Sequence, residues 1–509
     1  MDAPFVLATM ARRGLLTPGP PLRIARQLSA LRTWGFGLAG ELRQAAARDP
    51  GRIAVIDDER GPVTYAELLD RATRVTRALP AEPGDRVGVL CRNSAGMLST
   101  LIGVAQLGAD PVLINTGLPP AQLARLSTAQ NLRLIVHDDD FAGVPAEIAL
   151  PAARLAELTA AAGPATLRPP ARPSRTIVLT SGTTGTPKGA RRPTPTGFGP
   201  LCCIVDRIPL RAGVRLMITA PLFHTWGFAA LQIALALRAT VVLRRRFDPA
   251  ATVDDLLRHR CAGLIAVPVM LQRMMELPPP AAVPPLSVVA VSGSALPGGL
   301  ATRFMDRFGD VLYNLYGSTE ASWASIATPA DLRAAPGTAG RPPHGTRVEV
   351  RDAGGRESPP GRPGRLFVSN DMLFEGYTGG AERPGGPVAT GDLGHVDAAG
   401  RVFVDGREDD MIVSGGENVF PAEVENLLAD LPGVREVAVA GTPDPEFGQV
   451  LAAYVVRHDG AVLDADAVRD HVRERLARFC VPKEVVFLTA LPRNATGKVL
   501  LRELRPPAT

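Results

Sequence analysis

Short apolar runs rich in β-branched residues alternate with stretches of helical periodicity through the first four hundred positions. The runs are Arg86–Cys91, Arg133–Val136, Thr176–Thr180, Arg215–Thr219, Thr240–Leu243, Gly263–Val267 and Ser287–Val291. Between them, Ala66–Leu79 and Ala229–Leu237 carry apolar residues at helical spacing. This alternation predicts an α/β fold of layered sheets, largely parallel, with helices packed on them. The last hundred residues change rhythm. A strand over Val402–Asp405 leads to a turn at Gly406 and a Gly-Gly loop at 415–416. A helix over Pro421–Ala429, strands over Glu436–Ala440 and Leu451–Arg457, and a helix over about Asp464–Ala477 follow. That pattern predicts a compact α+β module of ordinary domain size. The expected organisation is a large N-terminal domain, residues 1–408, and a small C-terminal domain, residues 409–509, with the boundary at Asp409.

Composition narrows the classes. Of 509 residues, 46% are apolar and 21% charged, as in ordinary globular enzymes. The net charge of +5 is small for this length, and no basic block is interleaved with aromatics, which argues against nucleic-acid binding. The run Arg244-Arg245-Arg246 follows the apolar Thr240–Leu243 and reads as a solvated strand end. Cysteines at 91, 202, 203, 261 and 480 are odd in number and unpatterned, which suits reduced thiols better than a disulfide framework or a zinc site. No apolar run approaches membrane-spanning length, and the first residues, with Asp2, Arg12 and Arg13, carry no secretory apolar core. A cytoplasmic location is therefore expected. Leu22, Leu28, Leu31, Trp34 and Leu38 could line one face of a basic helix, docked on the protein or, alternatively, touching a membrane surface.

Only three of the 56 basic residues are lysine: Lys188, Lys483 and Lys498. Where arginine fills nearly every basic position, a retained lysine suggests a task for a compact ammonium, such as meeting a phosphate or carboxylate oxygen as a point charge. Lys188 ends the string Thr180-Ser-Gly-Thr-Thr-Gly-Thr-Pro-Lys188, after a strand-like run. Its backbone N–H groups and hydroxyls can converge on a polyphosphate. Pro187 stands where a Walker loop requires Gly, so that motif is excluded. Lys498 lies in Pro492-Arg-Asn-Ala-Thr-Gly-Lys498.

The Thr180–Gly189 string closely resembles the phosphate loop of the acyl-adenylate-forming superfamily of acyl-CoA synthetases, peptide-synthetase adenylation domains and firefly luciferases. Further motifs follow in that family's order: Pro221–Gly227, Tyr316-Gly-Ser-Thr-Glu320, Thr390-Gly-Asp-Leu-Gly394, Gly406–Asp410, Ser414-Gly-Gly-Glu-Asn418 and Pro492–Lys498. The resemblance covers the chain from about residue 40 to its end. Phe223–Phe228 and Ser414–Pro421 look most like bacterial medium- and long-chain fatty-acyl-CoA ligases.

The resemblance implies ATP and Mg²⁺ at one site, with CoA as co-substrate and a small-molecule carboxylic acid as the group activated. Thr180, Ser181, Gly182, Thr183, Thr184 and Lys188 match the loop around the β- and γ-phosphates, and Thr184 with Glu320 matches the magnesium position. Gly293, Ser294, Ala295, Tyr316, Gly317 and Thr319 match the adenine and phosphate surround. Asp392 matches the acceptor of both ribose hydroxyls, and Arg407 a second ribose and phosphate contact. His224 matches the mouth of the carboxylate pocket, and Trp226, Gly227, Phe228, Val269, Ser322 and Trp323 match its walls. Lys498 matches the catalytic lysine of adenylation, Asp409 the hinge, and Gly415 and Gly416 the passage for a pantetheine arm. Cys480 departs from the pattern, since related fatty-acyl ligases often carry a basic residue there. Adenylation motifs do not encode the acid. An aryl acid, nitrite delivered to an arylamine, a carrier-protein acceptor, or a catalytically dead nucleotide- or acyl-binding scaffold stay open.

Overall fold

The computed structural model describes residues 2–163, 166–180, 188–280, 282–380, 383, 385–414, 417–444, 447–494 and 497–504. Among these the strands form four sheets. The first runs, in spatial order, Ser325–Ala327, Leu312–Tyr316, Val288–Val291, Gly263–Ala266, Arg215–Ile218, Thr240–Leu243, Ile53–Asp57 and Gly61–Thr64. Its internal pairings are parallel, as with Val55 beside Val241 and Leu264 beside Met217. Only the two edge pairings are antiparallel. The second runs Ala149–Pro151, Leu132–His137, Arg86–Leu90, Asp110–Leu113, Ile177–Thr180 and Lys188–Arg191, and is parallel up to the last, antiparallel pair. Parallel strands are covered on both faces, so they read as continuous apolar runs. Every position of Thr240–Leu243, Gly263–Ala266 and Val288–Val291 is accordingly buried. One core joins these two sheets.

The third sheet is the antiparallel exception to the largely parallel layers. Arg347–Arg351, Gly364–Ser369, Val388–Val396 and Val402–Arg407 are antiparallel throughout. Buried positions alternate along Gly364–Ser369, the mark of a sheet with one wet face. A fourth, five-stranded sheet belongs to the C-terminal region and has its own core of Val424, Leu428, Val439, Val455 and Val468. Cys480 is buried in that core, where it packs as a small apolar side chain. A charged group there would be desolvated, so the missing basic residue fits its surroundings.

Helix Tyr65–Ala78 begins one residue before the expected Ala66 because Thr64 and Glu67 form a capping box. Helix Thr225–Ala236 begins four residues before the expected Ala229. Near the N-terminus, the expected apolar face splits. Leu31 is buried on helix Pro21–Trp34, whereas Leu22 and Leu28 are 62% and 57% exposed. The inward stripe runs Ile24, Gln27, Leu31 and Trp34, at spacings of three and four, and leaves those two leucines off it. Leu38 belongs to the next helix, Leu38–Arg48. Among the described residues no helix is long and apolar enough to cross a membrane.

Candidate active site

In parallel sheets the loops leaving the strands' C-terminal ends converge along one edge. A cavity of about 770 Å³ opens there, at the junction of the large and small domains. Thr180, His224, Thr225, Gly293, Gly317, Thr319 and Glu320 line it from the ends of four strands or the turns that follow. The antiparallel sheet contributes Thr390 and Arg407, and the small domain contributes Asn494 and Lys498.

Lys188 occupies the start of the strand Lys188–Arg191, directly opposite Thr180. Its ammonium lies 5.7 Å from the centre of the Tyr377 ring. The Tyr377 hydroxyl donates to Glu320 Oε1 at 2.8 Å, which fixes that carboxylate at the cavity wall. Burial, then the Glu320 contact, raises the Tyr377 phenol well above its ordinary range, so it stays a donor. Arg192 is buried behind Glu320. Its guanidinium donates to the Thr319 carbonyl at 2.5 Å and to Ser322 Oγ at 2.7 Å. Burial lowers its pKa to about 10, against the pull of the Glu320 charge. One carboxylate beside phosphate-binding groups suits magnesium, which takes few protein ligands and shares the rest with phosphates and water.

The turn from Tyr316 to Trp323 is tight. A Cβ on Gly317 would fall 2.2 Å from the Ser322 carbonyl oxygen, so only glycine fits. Ser322 itself has φ +65°. The Tyr316 hydroxyl donates to Asp392 Oδ2 at 2.5 Å, and Arg407 Nη1 reaches Asp392 Oδ1 at 3.4 Å. Burial raises the Asp392 carboxyl, while Tyr316 and Arg407 oppose the shift. His224 precedes the helix Thr225–Ala236, and burial lowers its imidazole, favouring the neutral ring.

Lys498 is carried on a turn whose backbone closes on itself. Its N–H donates to Asn494 Oδ1 at 2.9 Å, and Asn494 N–H to the Lys498 carbonyl at 2.9 Å. Arg493 braces the turn through the Gly497 carbonyl at 2.7 Å and an ion pair with Glu436. The Lys498 charge acts on Asp392 and Asp409 across the domain junction.

Other expected positions land elsewhere. Gly227 and Phe228 do not line the cavity. Phe228 is core, and a Cβ on Gly227 would meet the Pro221 carbonyl oxygen at 2.1 Å, so that glycine serves helix packing. Val269 faces the small domain, where a Cβ on Gly497 would lie 2.6 Å from its methyl. Trp226, Ser322 and Trp323 do line the cavity. Ser294 and Ala295 are exposed beside Gly293 and stand outside the lining. Ser181, Gly182, Thr183, Thr184, Gly415 and Gly416 lie outside the described residues. Sequence reasoning missed Tyr377 and Arg192. Arg192, three residues after the Gly-Lys-rich loop, was within reach of a local reading; Tyr377 meets Glu320 only through the fold.

Residues 42–378 match the family described as AMP-binding enzyme, and residues 423–498 match the AMP-binding enzyme C-terminal domain. Indoleacetate–CoA ligase of Aromatoleum aromaticum is 34% identical over 90% of this chain and 96% of its own length. Long-chain-fatty-acid–CoA ligase FadD13 of Mycobacterium tuberculosis is 30% identical over 91% of this chain and 97% of its own. The crystal structure of ATP-bound MatB from Rhodopseudomonas palustris superposes with a TM-score of 0.83 at 28% identity, covering 92% of this chain and 98% of that one. The chain belongs to the AMP-binding enzyme family. ATP and CoA are co-substrates of its reaction, the AMP-forming activation of an acid and its ligation to the CoA thiol.

Proposed function

We propose that this enzyme activates a carboxylic acid with an apolar body of medium length. The carrying observation is one continuous cavity. Its mouth gathers Lys188, Glu320, Arg407 and Lys498, and its inner branch runs along Ala229, Ile233 and Ala236. An anionic nucleotide suits the first part and an acyl or arylalkyl group the second. The lining helix Thr225–Ala236 is only about 16 Å long at about 1.5 Å per residue, so of the medium- and long-chain fatty acids that the motifs suggested, medium chains suit this branch better. Relatives named for indoleacetate and for long-chain fatty acids leave both body types in play. Nitrite has no use for such a branch.

In the proposed adenylation, the acid's carboxylate attacks the α-phosphate of ATP and pyrophosphate leaves. Both reactants are anions, so the protein's work is alignment and charge neutralisation. The 180–188 segment holds the β- and γ-phosphates, with Lys188 as the point charge. Glu320, held by Tyr377, is a ligand for Mg²⁺, which when bound offsets phosphate charge. Neutral His224 and the first amides of helix Thr225–Ala236 face the carboxylate. Lys498 bridges the carboxylate and α-phosphate oxygens. The small domain then swings about Asp409 and brings the 414–418 loop to the site for thioester formation, a hinge-type switch. A cytoplasmic setting supplies ATP and CoA together.

The test is a panel of acids from acetate to palmitate, with benzoates and nitrite, scored by AMP release with and without CoA. Each methylene buried in the inner branch adds about 0.8 kcal/mol of binding, roughly fourfold. Activity is expected to climb with chain length and turn over in the medium range. A flat profile, or a preference for nitrite, refutes the assignment of the acid; absence of AMP release with every acid refutes catalysis.

Asp392 is assigned to the ribose diol, its two oxygens now engaged by Tyr316 and Arg407. Losing hydrogen bonds to a charged acceptor costs about 1.5–3 kcal/mol. Asp392→Ala is therefore expected to raise the KM for ATP about 10- to 100-fold and to abolish discrimination against 2′-deoxy-ATP. A folded variant that still discriminates removes Asp392 from that role.

A further inference from the structure

The inner branch does not end on hydrocarbon. Thr225, Trp226, Ala229, Gln232, Ile233 and Ala236 line the cavity from one helix. They form a stripe about 16 Å long, the twelve residues of the helix being separated by rises of about 1.5 Å each. Its near end is tied to the Glu320 turn by Thr225 Oγ1 and Thr319 Oγ1, 2.8 Å apart. Its far end meets helix Leu38–Arg48, and there Glu41 lines the cavity while only 4% exposed.

The carboxyl of Glu41 is held on one side only. Gln44, one turn on, donates to Glu41 Oε2 at 3.1 Å and to the Leu235 carbonyl at 3.2 Å. Gln27 donates to Gln44 Oε1 at 2.7 Å and locks that amide in place. No described residue bonds the other carboxyl oxygen, Oε1. Arg238, the nearby cation, is paired with Asp49 at 3.5 Å. Burial pushes the Glu41 carboxyl up to about 8, so at neutral pH it is mostly an uncharged acid with an O–H to give. Gln232, on the same branch, forms no side-chain hydrogen bond among the described residues. Burying the Glu41 carboxyl with one oxygen unpaired costs stability that a leucine there would not; Gln232 is half-buried in the same wall.

We propose that Glu41 and Gln232 form a polar seat for a hydroxyl on the far end of the acid, and that they select ω-hydroxyacyl or hydroxyaryl acids over their unsubstituted counterparts. A hydroxyl both donates and accepts, which matches a carboxylic acid facing an amide. A cationic tail is disfavoured by the charge of Arg238. A methyl or bare ring would leave Glu41 Oε1 and the Gln232 amide without a partner, and sites built to bond a hydroxyl reject the analogue lacking it. The proposal rests on the acid-activating reading of this same cavity.

The test is ATP–pyrophosphate exchange with matched pairs: ω-hydroxyoctanoate against octanoate, ω-hydroxydodecanoate against dodecanoate, and 3-(4-hydroxyphenyl)propanoate against 3-phenylpropanoate. The parent enzyme is expected to favour the hydroxylated member of at least one pair by about tenfold or more in kcat/KM. Glu41→Leu should erase that preference and improve use of the unsubstituted partner, while Glu41→Gln keeps part of it. Gln232→Leu provides a second variant at a site independent of the Gln27–Gln44 network, should Glu41→Leu fail to fold. Preference for the unsubstituted acid in every pair, or equal loss on both members in the folded variants, overturns the seat alone. No exchange with any acid overturns the acid-activating reading and the seat with it.

Discussion

Lys498→Ala is expected to lower acyl-AMP formation by about 10²–10³, and to leave the conversion of supplied acyl-AMP and CoA to acyl-CoA near the parent rate. Removing one preorganised donor from a developing anionic centre costs about 3–4 kcal/mol. Lys498 is well placed for such a loss. Its turn is closed by Asn494 and braced by Arg493 on Glu436, so the backbone that carries the ammonium is held at the cavity. Its charge already acts on Asp392 and Asp409. The asymmetry between half-reactions follows from the proposed swing, which withdraws the lysine before the thiol attacks. Single-turnover assays started from acid plus ATP, and separately from synthetic acyl-AMP plus CoA, measure the two. Equal loss in both would place Lys498 in a role common to the two steps and remove the case for a swing.

The side of the cavity assigned to the nucleotide is readable from the sequence because its residues are contiguous. Tyr316 to Glu320 sit in one turn, and Thr180 and Lys188 face each other on paired strands. Parallel strands then bring such turns to a common edge without long-range information. The acyl side is assembled differently. Glu41 reaches the cavity from a helix near the N-terminus, and Gln232 from a helix nearly two hundred residues on; nothing local links them. The Tyr377–Glu320 bond joins residues 57 apart in the same way. Gly227 and Val269 lie within or near recognisable strings, yet one serves packing and the other the domain junction. Motif position reports chemistry where the backbone itself makes the site. It reports much less where side chains from distant elements close a wall. The same division appears in the fold: apolar runs marked the buried parallel strands, whereas the half-wet strands from Arg347 to Val396 alternate too weakly to stand out.

Asp409→Pro is expected to do the reverse of Lys498→Ala, sparing most adenylation and cutting the thioester step about 10²-fold, the scale of a misplaced reacting group. Asp409 sits in the single turn Glu408–Asp410, between the last strand of the antiparallel sheet and Ile412–Ser414 of the small domain. Among the described residues few polar side-chain contacts cross the junction: Gln272 donates to the Arg435 carbonyl, and Arg303–Asp430 and Arg435–Glu276 are each 3.9 Å apart. The first of these ion pairs is solvated and contributes about 0–1 kcal/mol. Backbone freedom at the turn then controls the swing, and a proline ring confines φ near −65° while also restricting Glu408 before it. The substitution also removes the Asp409 partner of Arg407, 3.2 Å away, which should lower adenylation modestly. Asp409→Ala isolates that loss, since it breaks the same ion pair without the ring. Measured on both half-reactions, the alanine variant should show only the modest adenylation defect, and the proline variant that defect plus the collapse of thioester formation. If the two variants match in both assays, backbone rotation at Asp409 does not couple the half-reactions.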